Sequence, residues 1–278
     1  MSANTHLADS LIINSVSNTK REFGRINGMG LWTLYKKEVR RFLRIIPQTL
    51  LAPMVSNVLL MTVFILAFPG RSGGNSTEFI QFLIPGLIMM GILNNASANS
   101  SSSMMTSKVN GSITDILMPP LSYTEIAVGY IGGAITRGIL VAASTFVALS
   151  IFFTLIIPMV PWAVLYYSFS AAACLAMIGL LSGIWAEKFD QLAAVNQFII
   201  TPLSMLSGTF YHINILPEYF QKMSLVNPLF YFIDGFRYGF LGQADGSIMT
   251  GVIYTSILNL ILFITCLKVL KSGWRLKA

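Results

Sequence analysis

Between Arg137 and Glu187 the chain carries no charged side chain. Such a run is long enough to cross a bilayer twice at about 20 residues a crossing, and Pro158 and Pro161 divide it near its middle. Backbone amides inside hydrocarbon must be satisfied by the spanning structure itself, which leaves only transmembrane helices or a closed barrel. A barrel alternates apolar and polar residues over segments of about ten, and this chain does not read that way. Composition extends the conclusion to all 278 residues: 54% are hydrophobic and 10% charged, with a mean hydropathy of +0.69, against roughly 25% charged in soluble domains. A soluble enzyme, a DNA-binding domain and a disordered protein are excluded, and the class is an all-α polytopic membrane protein.

Charged and turn-rich stretches border six spans, at residues 50–68, 79–105, 138–157, 163–186, 192–210 and 248–270. Pro69 through Ser76 form an outside turn. Eight of the 18 basic residues precede residue 45 and four follow residue 267. An even span count puts both tails on one side, and the positive-inside rule makes that side the cytoplasm. Residues 1–30 lack the short apolar region and cleavage site of a secretory signal, so the first span serves as its own membrane address. Cys174 and Cys266 sit inside apolar runs and read as small buried hydrophobes. The domain organisation is a mobile cytoplasmic tail at 1–28, an amphipathic connecting helix at 29–46, and a transmembrane domain at 47–278.

In that connecting helix Leu31, Tyr35, Val39, Phe42 and Ile46 recur at spacings of three and four, while Lys36, Lys37, Arg40, Arg41 and Arg44 fill the other faces. The pattern predicts a helix anchored in the cytoplasmic interface against anionic lipid; a basic soluble helix is the alternative. Between the last two spans, residues 211–247 hold Phe220, Phe230, Tyr231, Phe232, Phe236, Tyr238 and Phe240, with Pro217 and Pro228 as breakers. That predicts short re-entrant helices dipping into the outer leaflet, since aromatic side chains favour the interface. Asp234 and Arg237, one helical turn apart, are placed to pair.

No GxxxxGK[ST] occurs, so the chain has no P-loop for ATP. His6 and His212 fall on opposite sides of the predicted membrane, which excludes a shared metal site or a histidine-centred triad. The tetrapeptide Gly70-Arg71-Ser72-Gly73 resembles the GxSG of intramembrane serine proteases but lies in a turn without a membrane base. Catalytic and metal residues are therefore expected to be absent.

Polar side chains within spans are costly and mark function by default. Asn95, Asn99 and Ser102 share one face of the second span, and Asn196, Thr201 and Ser204 punctuate the fifth. They serve either as a mildly polar path or as glue between helices. Gly129 and Gly133 form a GxxxG pair that signals tight packing, and Arg137 snorkels towards the interface or pairs in the interior. After the second span, residues 112–118 predict a short helix stopped by Pro119 and Pro120. Ile113, Ile116 and Leu117 would project from it as an apolar knob for another protein.

Four stretches resemble a known family, the type-2 ABC transporter permeases of the inner membrane. They are FLIPGLIMMGILNNA at residues 82–96, ITDILMPPLSYTEIAVGYIGGAITRG at 113–138, NQFIITPLSMLSGTFYHINILPEYF at 196–220 and NPLFYFIDGFRYGFLG at 227–242. Within that family the chain is most similar to compact bacterial exporters of drugs, polysaccharides and nodulation factors; its long polar tail and Ser100 to Ser103 depart from the pattern. The resemblance implies a half transporter that pairs with a second permease copy and draws energy from two copies of a separate P-loop ATPase, which holds ATP and Mg. It implies that Asn110, Gly111, Ile113, Asp115, Ile116, Leu117, Pro119 and Pro120 form the main coupling element, with Glu187 to Gln191, including Asp190, as a smaller contact. Spans two and five would line the dimer interface and pathway. The expected function is ATP-driven export of an amphipathic, lipid-linked or glycan substrate across the bacterial inner membrane. An ion-coupled secondary transporter is the alternative, disfavoured by the lack of intramembrane acids.

Overall fold

The computed structural model describes residues 27–67, 76–153 and 155–276, and these are helical throughout apart from turns and short links. The predicted tail through residue 26 with His6, the outside turn at 69–75 and the GxSG tetrapeptide lie outside the described residues. Eleven α-helices follow in order: α1 Gly28–Leu43, α2 Ala52–Ala67, α3 Ser76–Val109, α4 Ile113–Leu117, α5 Tyr123–Phe152, α6 Pro161–Trp185, α7 Phe189–Val195, α8 Thr201–Leu206, α9 Glu218–Val226, α10 Pro228–Leu241 and α11 Ile248–Ser272. Wider π-helical turns at Pro47–Leu51 and Asn196–Ile200 join α1 to α2 and α7 to α8. The side bearing α1, α4 and the end of α11 is termed inner below, and the opposite side outer.

Among the described residues five helical segments are long and apolar enough to cross a membrane: Pro47–Ala67, Glu78–Val109, Tyr123–Phe152, Pro161–Trp185 and Ile248–Ser272. The predicted fifth span is not among them. Residues 189–206 form a helical rod with a π-turn in its middle, rising about 27 Å, and Asn196, Gln197, Thr201 and Ser204 dilute its apolar character. The predicted third span also changes. It begins at Tyr123 rather than at residue 138, because its first half packs on α1 instead of lipid.

The α5 start is built by a capping box: Ser122 Oγ accepts from Glu125 N at 3.2 Å, while Glu125 Oε2 accepts from Ser122 N at 2.6 Å. The other Glu125 oxygen accepts from the backbone of Asn27, the N-cap of α1, so one carboxylate fixes the starts of two helices. Further along, Leu34 and Glu38 of α1 press onto Gly129 and Gly133, where an added Cβ would lie 2.7 Å from Leu34 Cδ2 and 2.5 Å from Glu38 Cβ. The GxxxG pair is thus a packing notch, and its occupant is α1. This turns the helix relative to expectation. Leu34, Glu38 and Phe42 form the buried edge, whereas Ile46 of the predicted apolar stripe is exposed and lies beyond the helix end.

The core is centred on α3 and α6, which cross through small residues. A Cβ on Gly179 would meet the Ser97 carbonyl oxygen at 2.3 Å, and one on Gly183 would meet Ser101 O at 2.8 Å. Ser100 Oγ donates to Ala176 O at 2.7 Å. The serine run is therefore a helix seam, since small residues let backbones approach and their hydroxyls bond across. Cys174 and Cys266 are buried and unpaired as predicted.

On the outer side α9 and α10 are the predicted short helices before the last span. Asp234 and Arg237 do not pair. Asp234 accepts from the backbone N–H groups of Asp245 and Gly246 at 2.8 and 2.9 Å. Arg237 donates to Gly208 O at 2.7 Å and lies over the Phe82 ring, 3.7 Å from its centre. Each closes a separate loop over α10, because backbone groups in turns outcompete a partner on the same helix face.

Candidate functional site

The inner side gathers most of the predicted functional residues. α3 is 34 residues long and so rises about 51 Å, well beyond a hydrocarbon core of ~30 Å. Gly111, with φ at +68°, reverses the chain after it, and α4 follows at once. Asn110, Gly111, Asp115, Pro119 and Pro120 are all exposed. The apolar knob is smaller than expected: Ile113 and Ile116 are buried under α4, leaving Leu117 at 36% and Met118 at 81% exposure. A helix of one and a half turns can show only one edge, and the inward edge anchors it to the bundle. Met118, unremarked in the sequence, is the most exposed apolar group of this loop.

The second predicted contact, Glu187 to Gln191, forms the start of α7. Gln191 Oε1 accepts from Glu187 N at 2.8 Å, and Glu187 and Asp190 are both exposed. This patch is fastened to the bundle by two cations that sequence reasoning missed. Lys108 Nζ, at the end of α3, donates to Ile184 O and Ala186 O at 2.8 and 2.6 Å. Arg275 donates to Trp185 O at 2.9 Å and lies 3.6 Å from Glu187 Oε1. The last carbonyls of α6 thus receive positive charge from α3 and from the C-terminal turn, the favourable sign for a helix C-terminus. Basic residues near helix ends were the available signal for this role.

Above these surfaces lies a polar seam. Of the predicted interfacial anchors, Lys36, Lys37, Arg40 and Arg44 are exposed. Arg41 instead turns inward: Nη2 donates to Asn99 O and Oδ1 at 2.7 and 2.9 Å, and Nη1 to Ser102 Oγ at 3.3 Å. Arg137 bonds Asn95 Oδ1 at 3.1 Å rather than snorkelling. Asn95, Asn99 and Ser102 are therefore brought together with α1 and α5 through interhelical hydrogen bonds. Glu38, with no exposure, lies 3.5 Å from Arg41 Nε; it was missed because its basic neighbours made it read as part of a solvated face.

The predicted polar residues of the fifth span join α3 elsewhere. Ser97 Oγ donates to Asn196 Oδ1 at 3.0 Å. Thr201 Oγ1 donates to Asn196 O at 3.0 Å, occupying a carbonyl of the π-turn, and Ser204 Oγ donates to Thr201 O at 2.8 Å. One flank of this rod is left bare, with Phe198 at 78% and Ile199 at 52% exposure. Among the described residues no cluster of His, Cys, Asp and Glu suits a metal ion.

The architecture defines a polytopic helical membrane subunit whose longest helix carries an exposed helical elbow on the inner side. The family profile described as ABC-2 type transporter matches residues 29–241. The inner membrane transport permease YadH of Escherichia coli strain K12 is 34% identical over 257 residues, covering 90% of this chain and 98% of that protein. A permease of the same description from Shigella flexneri matches to the same extent. The chain belongs to the ABC-2 type transporter family, as its motifs predicted, and is a transmembrane subunit of an ABC transporter. Membership implies an ATPase partner in that ABC system.

Proposed function

We propose that this chain is the permease half of an ATP-driven exporter that moves an amphipathic, lipid-linked or glycan substrate across the bacterial inner membrane. The observation that carries the reading is the elbow formed by α3, Gly111 and α4, which offers Leu117, Met118 and Asp115 to a partner while Ile113 and Ile116 hold it to the bundle. Two permease copies pair, with the dimer interface and pathway along the second span, at Asn95, Asn99 and Ser102 of α3, and along the fifth, at Asn196, Thr201 and Ser204, where Phe198 and Ile199 are exposed. Two copies of a soluble P-loop ATPase bind ATP and Mg and dock on residues 110–120 and 187–191. No bond chemistry belongs to the permease itself. Both termini lie in the cytoplasm, in keeping with the basic residues of α1 and of the C-terminal turn.

Nucleotide binding by the ATPase would favour one permease conformation through differential affinity for the elbow. Leu117→Asp and Asp115→Lys are expected to abolish ATP-dependent transport while leaving a folded protein in the membrane. The check is substrate efflux from cells or vesicles, with expression and gel-filtration profiles alongside; full transport by both variants sinks the coupling assignment.

A further inference from the structure

Two arginines from different helices converge on one face of α3. Arg41 of α1 is bonded to Asn99 and Arg137 of α5 to Asn95, and residues four apart on a helix are neighbours one turn from each other. Only one carboxylate accompanies them. Glu38 lies 3.5 Å from Arg41, while Arg137 has no carboxylate within ion-pair distance among the described residues. Three buried N–H groups, Arg41 Nε, Arg137 Nε and Asn99 Nδ2, lack a hydrogen-bond partner. Unpaired charge and unbonded donors are expensive in a low-dielectric interior, and ionisable groups within a membrane bundle mark ligand or ion pathways by default.

The same face has an approach. Asn94, Ala98, Ser102 and Thr106 recur every four residues and stay partly exposed along α3, while most residues between them are buried. Arg41 reaches Ser102 on this strip and keeps 28% of its side chain exposed. The strip leads from the inner end of α3 to the arginines.

We propose that Arg41, Arg137 and Asn99 bind an anionic group, a phosphate or carboxylate, carried by an amphiphile that moves along this strip of α3. The inference rests on the exporter reading and narrows its substrate class to amphiphiles with an acidic headgroup. A guanidinium presents its donors as a planar fork that grips two oxygens together, which an ammonium at the same place does not. Glu38 is the resident counter-charge that the incoming anion displaces from Arg41.

The test uses the purified full-length protein in detergent and three probes: dihexanoyl phosphatidylglycerol, zwitterionic dihexanoyl phosphatidylcholine and inorganic pyrophosphate, each titrated by thermal shift. Phosphatidylglycerol is expected to stabilise the wild type well beyond phosphatidylcholine. Arg41→Gln and Arg137→Gln should each weaken it about tenfold or more, the loss expected for a charge-assisted hydrogen bond. Glu38→Gln should tighten it, which a merely structural carboxylate would not do, and the exposed control Lys222→Gln should leave it unchanged. Binding of phosphatidylglycerol without pyrophosphate assigns the site to a lipid headgroup; equal binding of pyrophosphate assigns it to the free anion. Equal response to the two lipids, or a loss in Lys222→Gln as large as in the arginine variants, overturns the proposal. If Arg137→Gln does not fold, Arg137→Lys replaces it, and unchanged binding in both Arg41→Gln and Arg137→Lys is equally decisive. Anion binding by a permease with no ATPase partner would leave this site standing and remove the exporter reading; ATPase coupling without anion binding would do the reverse.

Discussion

Glu38 is buried with both carboxylate oxygens lacking a hydrogen bond, held where Gly133 leaves no room for even a methyl group. The crossing of α1 over α5 therefore hinges on one hydrogen atom. Gly133→Val is expected to push Glu38 and Leu34 out of register and lower stability by about 1–3 kcal/mol, the usual cost of overpacking a tight contact. At Gly132 an added Cβ would lie 3.4 Å from the Tyr35 ring, so Gly132→Ala should be near neutral. Thermal unfolding in detergent separates the two; a Gly133→Val protein as stable as Gly132→Ala would contradict the seating of α1. The glycine spacing alone announced a tight contact. Its partner was not legible, because the buried edge of α1 runs through a charged residue, and periodicity of apolar residues cannot find such an edge.

At the scale of elements, one carboxylate, that of Glu125, joins the starts of α5 and α1. Ser122→Ala removes the cap and is expected to destabilise by about 1 kcal/mol. Glu125→Ala should do more, because it also frees Asn27 and the start of α1, and deuterium exchange should then rise at residues 27–34; protection unchanged there would show that α1 is held by its glycine notch alone. Gly179→Leu is expected to be harsher than either, since its neighbour at 2.3 Å is the Ser97 backbone, which cannot rotate away. The long apolar helices were legible from the lack of charge, and α4, α9 and α10 from prolines and aromatic runs. The first half of α5 was not, because Glu125 and Arg137 look like a border to lipid although Glu125 caps α5 and Arg137 bonds Asn95 inside the protein. Likewise Asn196 marked polarity in the fifth span, but the π-turn it opens leaves no periodic trace.

At the scale of the whole molecule, the inner ends of α3, α6 and α11 are tied by Lys108 and Arg275. On the proposed function, a push on α4 would reach the helix pair at the centre of the core through these ties. The short helix α4 was legible from Pro119 and Pro120 behind it, while the fastening of the inner helix ends was not, because lysine to carbonyl contacts depend on which helix ends meet. On the proposed function this chain acts with a separate ATPase held at the α4 elbow. The most direct measurement is gentle-detergent purification of the tagged protein from its native membrane, with identification of what accompanies it and an ATP hydrolysis assay. A near-stoichiometric soluble P-loop ATPase with hydrolytic activity is expected, lost from the Leu117→Asp protein. A permease that purifies alone and supports gradient-driven flux without ATP would contradict it.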